Sequence, residues 1–201
     1  QSKIFKDVED WLIQTIKFFQ INKKFHLYIK PHPAEDIKNH SSLMTIEKII
    51  INKFGKIPDF VTIINKEYKI NIFDYKKHID LCLLYSGTLG LEMLLNKIKI
   101  IAVGHCPYSV LIPKVNKKSE YFDLIKNIMK IKEPKIEDVR LFAYFFFLKT
   151  PIPWNLSDTV LYQKICNFNF KSLNSIKPKK NYYFDHLIDV ILNKNKNPEN
   201  W

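Results

Sequence analysis

Two short runs hold the side chains of this chain that could do chemistry: Lys30-Pro31-His32-Pro33 and Ser86-Gly87-Thr88-Leu89-Gly90-Leu91-Glu92. In the second, Gly87 lets the backbone approach a ligand and adopt dihedrals closed to other residues. Ser86 and Thr88 add hydroxyls beside the free N–H groups expected at a helix start, a combination that suits a phosphate. Glu92 follows one helical turn later, where a carboxylate can accept from ribose hydroxyls. The same residues also read as a plain helix N-cap with a dipole-compensating acid. In the first run, the prolines fix where the His32 imidazole points, and Lys30 adds positive charge. Such a histidine can donate to a phosphate or protonate a leaving group near neutral pH. It can equally be an exposed loop histidine.

The elements needed to position these runs are legible in the hydrophobic pattern. Residues 7–21 carry apolar positions at helical spacing, and 25–29 form a short β-rich run stopped by Pro31 and Pro33. A second helix over 43–54 ends near Gly55 and Pro58. Strands follow at 60–64, 80–85 and 98–103, with a short helix or turn at 71–78 and a helix from Thr88 through Leu95. Helices at 119–130 and 135–149 come next. The last quarter is less regular, with a closing helix over 183–193. The spacing therefore predicts an α/β fold, a doubly wound parallel sheet of Rossmann-like type, occupying 1–193, with a frayed tail over 194–201. In such a sheet ligands bind outside the C-terminal strand ends, so both runs face one edge.

Composition narrows the function classes. The 201 residues carry a formal charge of +12, which by itself suggests nucleic-acid binding. Yet Arg140 is the only arginine, and arginine is the preferred bidentate reader of phosphate and bases. The charge is instead read as codon bias toward lysine plus a general attraction to anions, with no nucleic-acid partner expected. Cys82, Cys106 and Cys166 form no C-x-x-C pair, which fits a reducing cytoplasm better than a disulfide framework or a zinc site. Cys82 reads as core. No metal-binding spacing, Walker loop or G-x-G-x-x-G occurs, and Ser86 lacks a G-x-S-x-G elbow. His105 and Tyr108, in Gly104-His105-Cys106-Pro107-Tyr108, are placed to line the same edge as the two runs. His26, His40, His78 and His186 carry no such pattern.

Lys30-Pro31-His32-Pro33-Ala34-Glu35, followed at this distance by Tyr85-Ser86-Gly87-Thr88-Leu89-Gly90-Leu91-Glu92, resembles the capsule polysaccharide biosynthesis family, which includes Kdo transferases. The likeness continues through Gly104–Tyr108, the Phe-rich segment near 142–148 and Phe184-Asp185-His186-Leu187, although only the first two motifs are specific. The resemblance implies a GT-B glycosyltransferase that moves a CMP-activated, Kdo-like sugar to a glycolipid or polysaccharide acceptor. Peripheral association with the inner membrane is implied too. His32 would be the catalytic residue, contacting the donor phosphate. Lys30, Pro33, Ser86, Gly87, Thr88 and Glu92 would complete the nucleotide-sugar site, with Glu92 on the ribose. No cofactor or metal is implied.

The family has a further strand before the first helix and an acceptor domain, neither of which is seen ahead of Gln1. The chain is therefore expected to be the donor-binding portion of a longer enzyme, inactive alone, with its general base elsewhere. With that strand missing, strands 25–29 and 80–85 must either pair directly or stand apart. Two other readings remain open: a sugar-nucleotide epimerase of related architecture, and a non-catalytic component of polysaccharide assembly or export.

Overall fold

The structure, a computed structural model, describes residues 4–32, 45–64, 78–149, 157–160 and 165–168, together with 177, 179, 180, 182, 185, 188 and 189. The chain divides into two compact units, 1–142 and 143–201.

Helix α1 (Val8–Ile21) organises the first unit. Asp7 caps it by accepting from the Asp10 N–H at 2.8 Å, and the Asp10 carboxylate accepts from the Lys6 N–H at 3.1 Å. Burial alone would raise the Asp10 carboxyl, but Lys6, Lys118 and Gln14 outweigh it and hold it below its usual value. Leu12, Thr15, Ile16, Phe18 and Phe19 are buried, the i, i+3, i+4, i+7 stripe expected of a helix lying on a core.

Four short strands lie against that stripe. Strand β1 (Leu27–Ile29) pairs in parallel with β2 (Val61–Ile63), and β3 (Leu81–Leu84) in parallel with β4 (Lys99–Ala102). Helix α2 (Ile46–Phe54), capped by Thr45 and ended by Gly55 at φ 78°, connects the first pair, and α3 (Leu89–Leu95) connects the second. Each is thus a parallel strand pair with a helical crossover. One core joins Leu12 and Ile16 of α1 to Ile29, Val61 and Ile50. Another joins Phe5, Phe18 and Phe19 to Ile101, Val103 and two residues of α4 (Lys118–Lys126), Tyr121 and Ile125.

The α/β class and the parallel pairing agree with the sequence pattern, but the single doubly wound sheet does not. Among the described residues β1–β2 and β3–β4 are separate two-stranded sheets, so β1 and β3 stand apart rather than pairing. Strands of three or four residues form few ladder bonds, and packing on α1 rather than a continuous ladder fixes their places. Phe25, ahead of β1, meets Phe19 with ring centroids 5.7 Å apart, and Tyr85, after β3, meets Trp11 at 5.8 Å. Trp11 lies eight residues, about 12 Å, nearer the helix N-terminus than Phe19. Both strands therefore run counter to α1, and their C-terminal turns leave at the Trp11 end.

Two helical expectations are shortened. The segment 119–130 is α4 plus a 3-10 turn at Ile128–Lys130, and 135–149 is α5 (Ile136–Tyr144) continued by a π-helical turn at Phe145–Lys149. The second unit contains an antiparallel hairpin, β5 (Ser157–Val160) with β6 (Ile165–Phe168), which the periodicity does not reveal. Asp158 and Asn167 interrupt both runs with poor strand formers. The expected turn at 71–77, most of the closing helix at 183–193 and the tail 194–201 lie outside the described residues, as do Pro33 and His40. Among the described residues no helix is long and apolar enough to cross a membrane.

A polar triad anchors α1 to α4 inside this apolar packing. The Trp11 indole N–H donates to the Tyr121 hydroxyl at 2.9 Å, and Thr15 Oγ1 lies 3.0 Å from the same oxygen. Burial pushes the Tyr121 phenol pKa upward, so it stays neutral and keeps its role as donor and acceptor. Tyr121→Phe should leave the indole donor without its partner and lower unfolding stability by about 1–2 kcal/mol in a urea titration. A loss below about 0.3 kcal/mol would show that the triad contributes little.

Candidate functional site

The Ser86–Glu92 turn is built on a braced backbone. Gly87 sits at φ 110°, in the half of dihedral space that L side chains avoid, with nothing within 4 Å of the place a Cβ would take. Its carbonyl accepts from the Tyr108 hydroxyl at 2.8 Å. Tyr108 reaches it by passing over Gly90, where an added Cβ would come within 2.6 Å of the tyrosine ring and 2.8 Å of Leu84. Gly104 closes the turn from the other side, donating its N–H to the Tyr85 carbonyl at 2.7 Å. Three glycines thus serve three purposes: a turn dihedral, room for a ring and a close backbone contact.

Beneath the turn, Tyr108 and Cys106 are each 1% exposed. Burial raises the Tyr108 phenol pKa, and the neighbouring Cys106 and Cys82 thiols raise it further. It therefore remains a neutral hydrogen-bond donor to Gly87 throughout the physiological range. Burial pushes the half-buried Cys82 thiol of β3 up to about 12, which keeps it protonated and unreactive.

The groups facing outward are Ser86, Thr88 and Glu92, all exposed. Thr88 occupies the N-cap position but makes no side-chain capping bond. Among the described residues, neither hydroxyl nor the Glu92 carboxylate has a hydrogen-bonding or ionic partner, so the plain N-cap reading of Thr88 does not hold. The helix start itself offers less than its sequence suggests. The Gly90 N–H lies against the Tyr108 oxygen, and the Leu91 N–H bonds the Thr88 carbonyl at 2.9 Å. With seven residues, α3 also adds little macrodipole. The donors left open at this turn are the Ser86 and Thr88 hydroxyls.

On the other ladder, Pro31 is buried and ends β1, while Lys30 and His32 are exposed on either side of it. That alternation turns Lys30 and His32 to the surface on either side of the buried proline. The two turns thus belong to different ladders but leave α1 at the same end. His105 is exposed in the loop after β4, whereas Tyr108 is interior, so Tyr108 supports the edge and does not line it. The sequence reading missed this bracing role, although a glycine inside a helix, such as Gly90, is a signal of close approach. Among the described residues, no group of three or more His, Cys, Asp or Glu side chains is placed to hold a metal ion.

Comparison with family models, with curated proteins and with solved structures returned no match for this chain.

The bracing makes a graded expectation. Gly90→Ala must displace the Tyr108 ring or Leu84 and should cost about 1–3 kcal/mol, which calorimetry would read as a lower Tm. Tyr108→Phe, which removes the bond to Gly87 and the oxygen that meets the Gly90 N–H, should cost about 1–2 kcal/mol. If Gly90→Ala were no more harmful than an exposed substitution, Tyr108 would not be packed across that glycine.

Proposed function

We propose that this chain is the donor-binding portion of a glycosyltransferase of surface-polysaccharide synthesis, taking a CMP-activated, Kdo-like sugar as donor. The observation that carries the reading is the Ser86-Gly87-Thr88 turn. It follows a parallel strand, is held rigid from beneath by Tyr108, and presents hydroxyls without partners among the described residues. Donors carried on a backbone held in place before a ligand arrives suit the stabilisation of charge on a departing phosphate. The motif resemblance at Lys30–Glu35 and Tyr85–Glu92 supplies the chemical class.

In this reading Ser86 and Thr88 donate to the nucleotide phosphate, and Glu92 accepts from the ribose. His32 donates to the phosphate as the bond to the sugar breaks, and Lys30 adds unscreened positive charge at the same turn. Pro33 would help fix the direction of His32. The acceptor is a glycolipid or polysaccharide, and the site of action is the cytoplasmic side of the inner membrane. No metal is required if the hydroxyls, Lys30 and His32 neutralise the phosphate between them.

Isothermal titration with CMP, UMP and single-stranded DNA tests the proposal. CMP should bind more tightly than UMP. His32→Ala and Ser86→Ala should each weaken CMP by about tenfold, the equivalent of one charge-assisted hydrogen bond. His78→Ala, at an exposed histidine outside both turns, should not change it. Equal affinity for CMP and UMP would redirect the reading to another sugar nucleotide. Tighter DNA binding with a steep salt dependence would overturn it.

A further inference from the structure

A second site lies at the far end of α3 from the Ser86 turn. A cleft of about 190 Å³ opens beside the start of β4, between the end of α3, the 3-10 turn at Ser109–Leu111 and the segment leading into α5. Nine of its thirteen lining residues are apolar, and the other four are Lys97, Lys99, Lys132 and Glu133. Three lysines and one glutamate thus stand among apolar lining residues, a net positive formal charge on a greasy-walled cleft.

Two of the lysines sit where a lysine is costly. The Lys99 side chain is only 16% exposed, yet its partners are distant: the Ile128 carbonyl at 3.4 Å and the half-exposed Glu133 carboxylate at 3.9 Å. An ammonium group has three donors, and these two long contacts leave part of that capacity open. Lys97 holds φ 60°. It occupies the left-handed position of a Schellman ending, in which Lys97 N–H bonds the Leu94 carbonyl at 2.9 Å and Ile98 N–H bonds Met93 at 3.0 Å. Glycine is the residue suited to that position, and lysine there is strained. The Met93 and Leu94 carbonyls at the helix end accept these bonds, and the Asn96 side chain donates to the Glu92 carbonyl at 2.9 Å.

We propose that this cleft binds a small amphipathic monoanion, with a short aliphatic carboxylate as the simplest example. The charged head would sit among Lys97, Lys99 and Lys132, with the chain against Leu94, Ile131 and Ile136. The volume is below the usual range for drug-sized ligands, which suits an occupant of fewer than about ten heavy atoms. The site does not depend on the nucleotide reading of the Ser86 turn, since it uses other residues at the opposite end of α3.

Amide chemical-shift titration of the full chain with hexanoate, against hexanol and hexylammonium, tests this. Hexanoate should shift Ile98–Ile100 and Ile131–Glu133 saturably, with a dissociation constant on the order of 1 mM, as fits so few atoms. Hexanol and hexylammonium should bind at least about tenfold more weakly. Lys99→Met should weaken hexanoate by about tenfold. Lys97→Gly should weaken it by about fivefold while melting at the same or a higher temperature, because it relieves the backbone. The proposal is overturned if hexanol matches hexanoate, if no saturable shifts arise at these residues below about 20 mM, or if both variants bind undiminished.

Discussion

Everything in the first unit depends on one helix serving two sheets. Among the described residues the β1–β2 and β3–β4 ladders are separate sheets, so α1 is what relates them. One stripe of the helix, Leu12 and Ile16, packs toward Ile29, Val61 and Ile50. The adjacent stripe, Phe18 and Phe19, packs toward Ile101, Val103 and Tyr121. Apolar burial is non-directional and would tolerate sliding of one ladder past the other. The hydrogen bonds that join Trp11 and Thr15 with the Tyr121 hydroxyl are directional and fix the rotation of α1 about its own axis. The same tryptophan packs on Tyr85, the residue before Ser86. Core and candidate site are therefore joined through a single side chain.

That join explains why the Ser86 turn can be both exposed and fixed. Its outward hydroxyls make no hydrogen bond among the described residues, but its backbone is held by Tyr108 below, by Gly104 alongside and by Tyr85 leading in. The arrangement separates two duties that short turns often combine. Shape is assigned to the glycines and a buried neutral phenol, whose raised pKa keeps it a donor, and chemistry is left to side chains on the surface. The short helix α3 then links this turn to the lysine-rimmed cleft, with Thr88 at one end and Lys97 just past the other.

Much of this was legible in the residues. Every parallel strand lies within a short apolar run bounded by turn signals, and α1, α2 and α3 end where Asn22, Gly55 and Asn96 stand. The placement of both motif turns after parallel strands followed from that alternation alone. Sheet continuity was not legible, because periodicity specifies which faces are buried and not which strands exchange hydrogen bonds. Tyr108 was misplaced for a similar reason: an aromatic in a loop after a strand looks exposed until a helical glycine makes room for it. The β5–β6 hairpin was hidden by Asp158 and Asn167. Lys97 gave no sign at all, since a lysine after a helix reads as an ordinary C-terminal charge and its left-handed backbone cannot be seen in its name.

The central claim is that two turns on two separate ladders share one ligand. Amide chemical-shift mapping of the chain with CMP measures this directly. The account predicts that Lys30 and His32 respond together with Ser86, Thr88 and Glu92, at a common saturation point. A response confined to one turn, or shifts that saturate at different concentrations for the two, would contradict it.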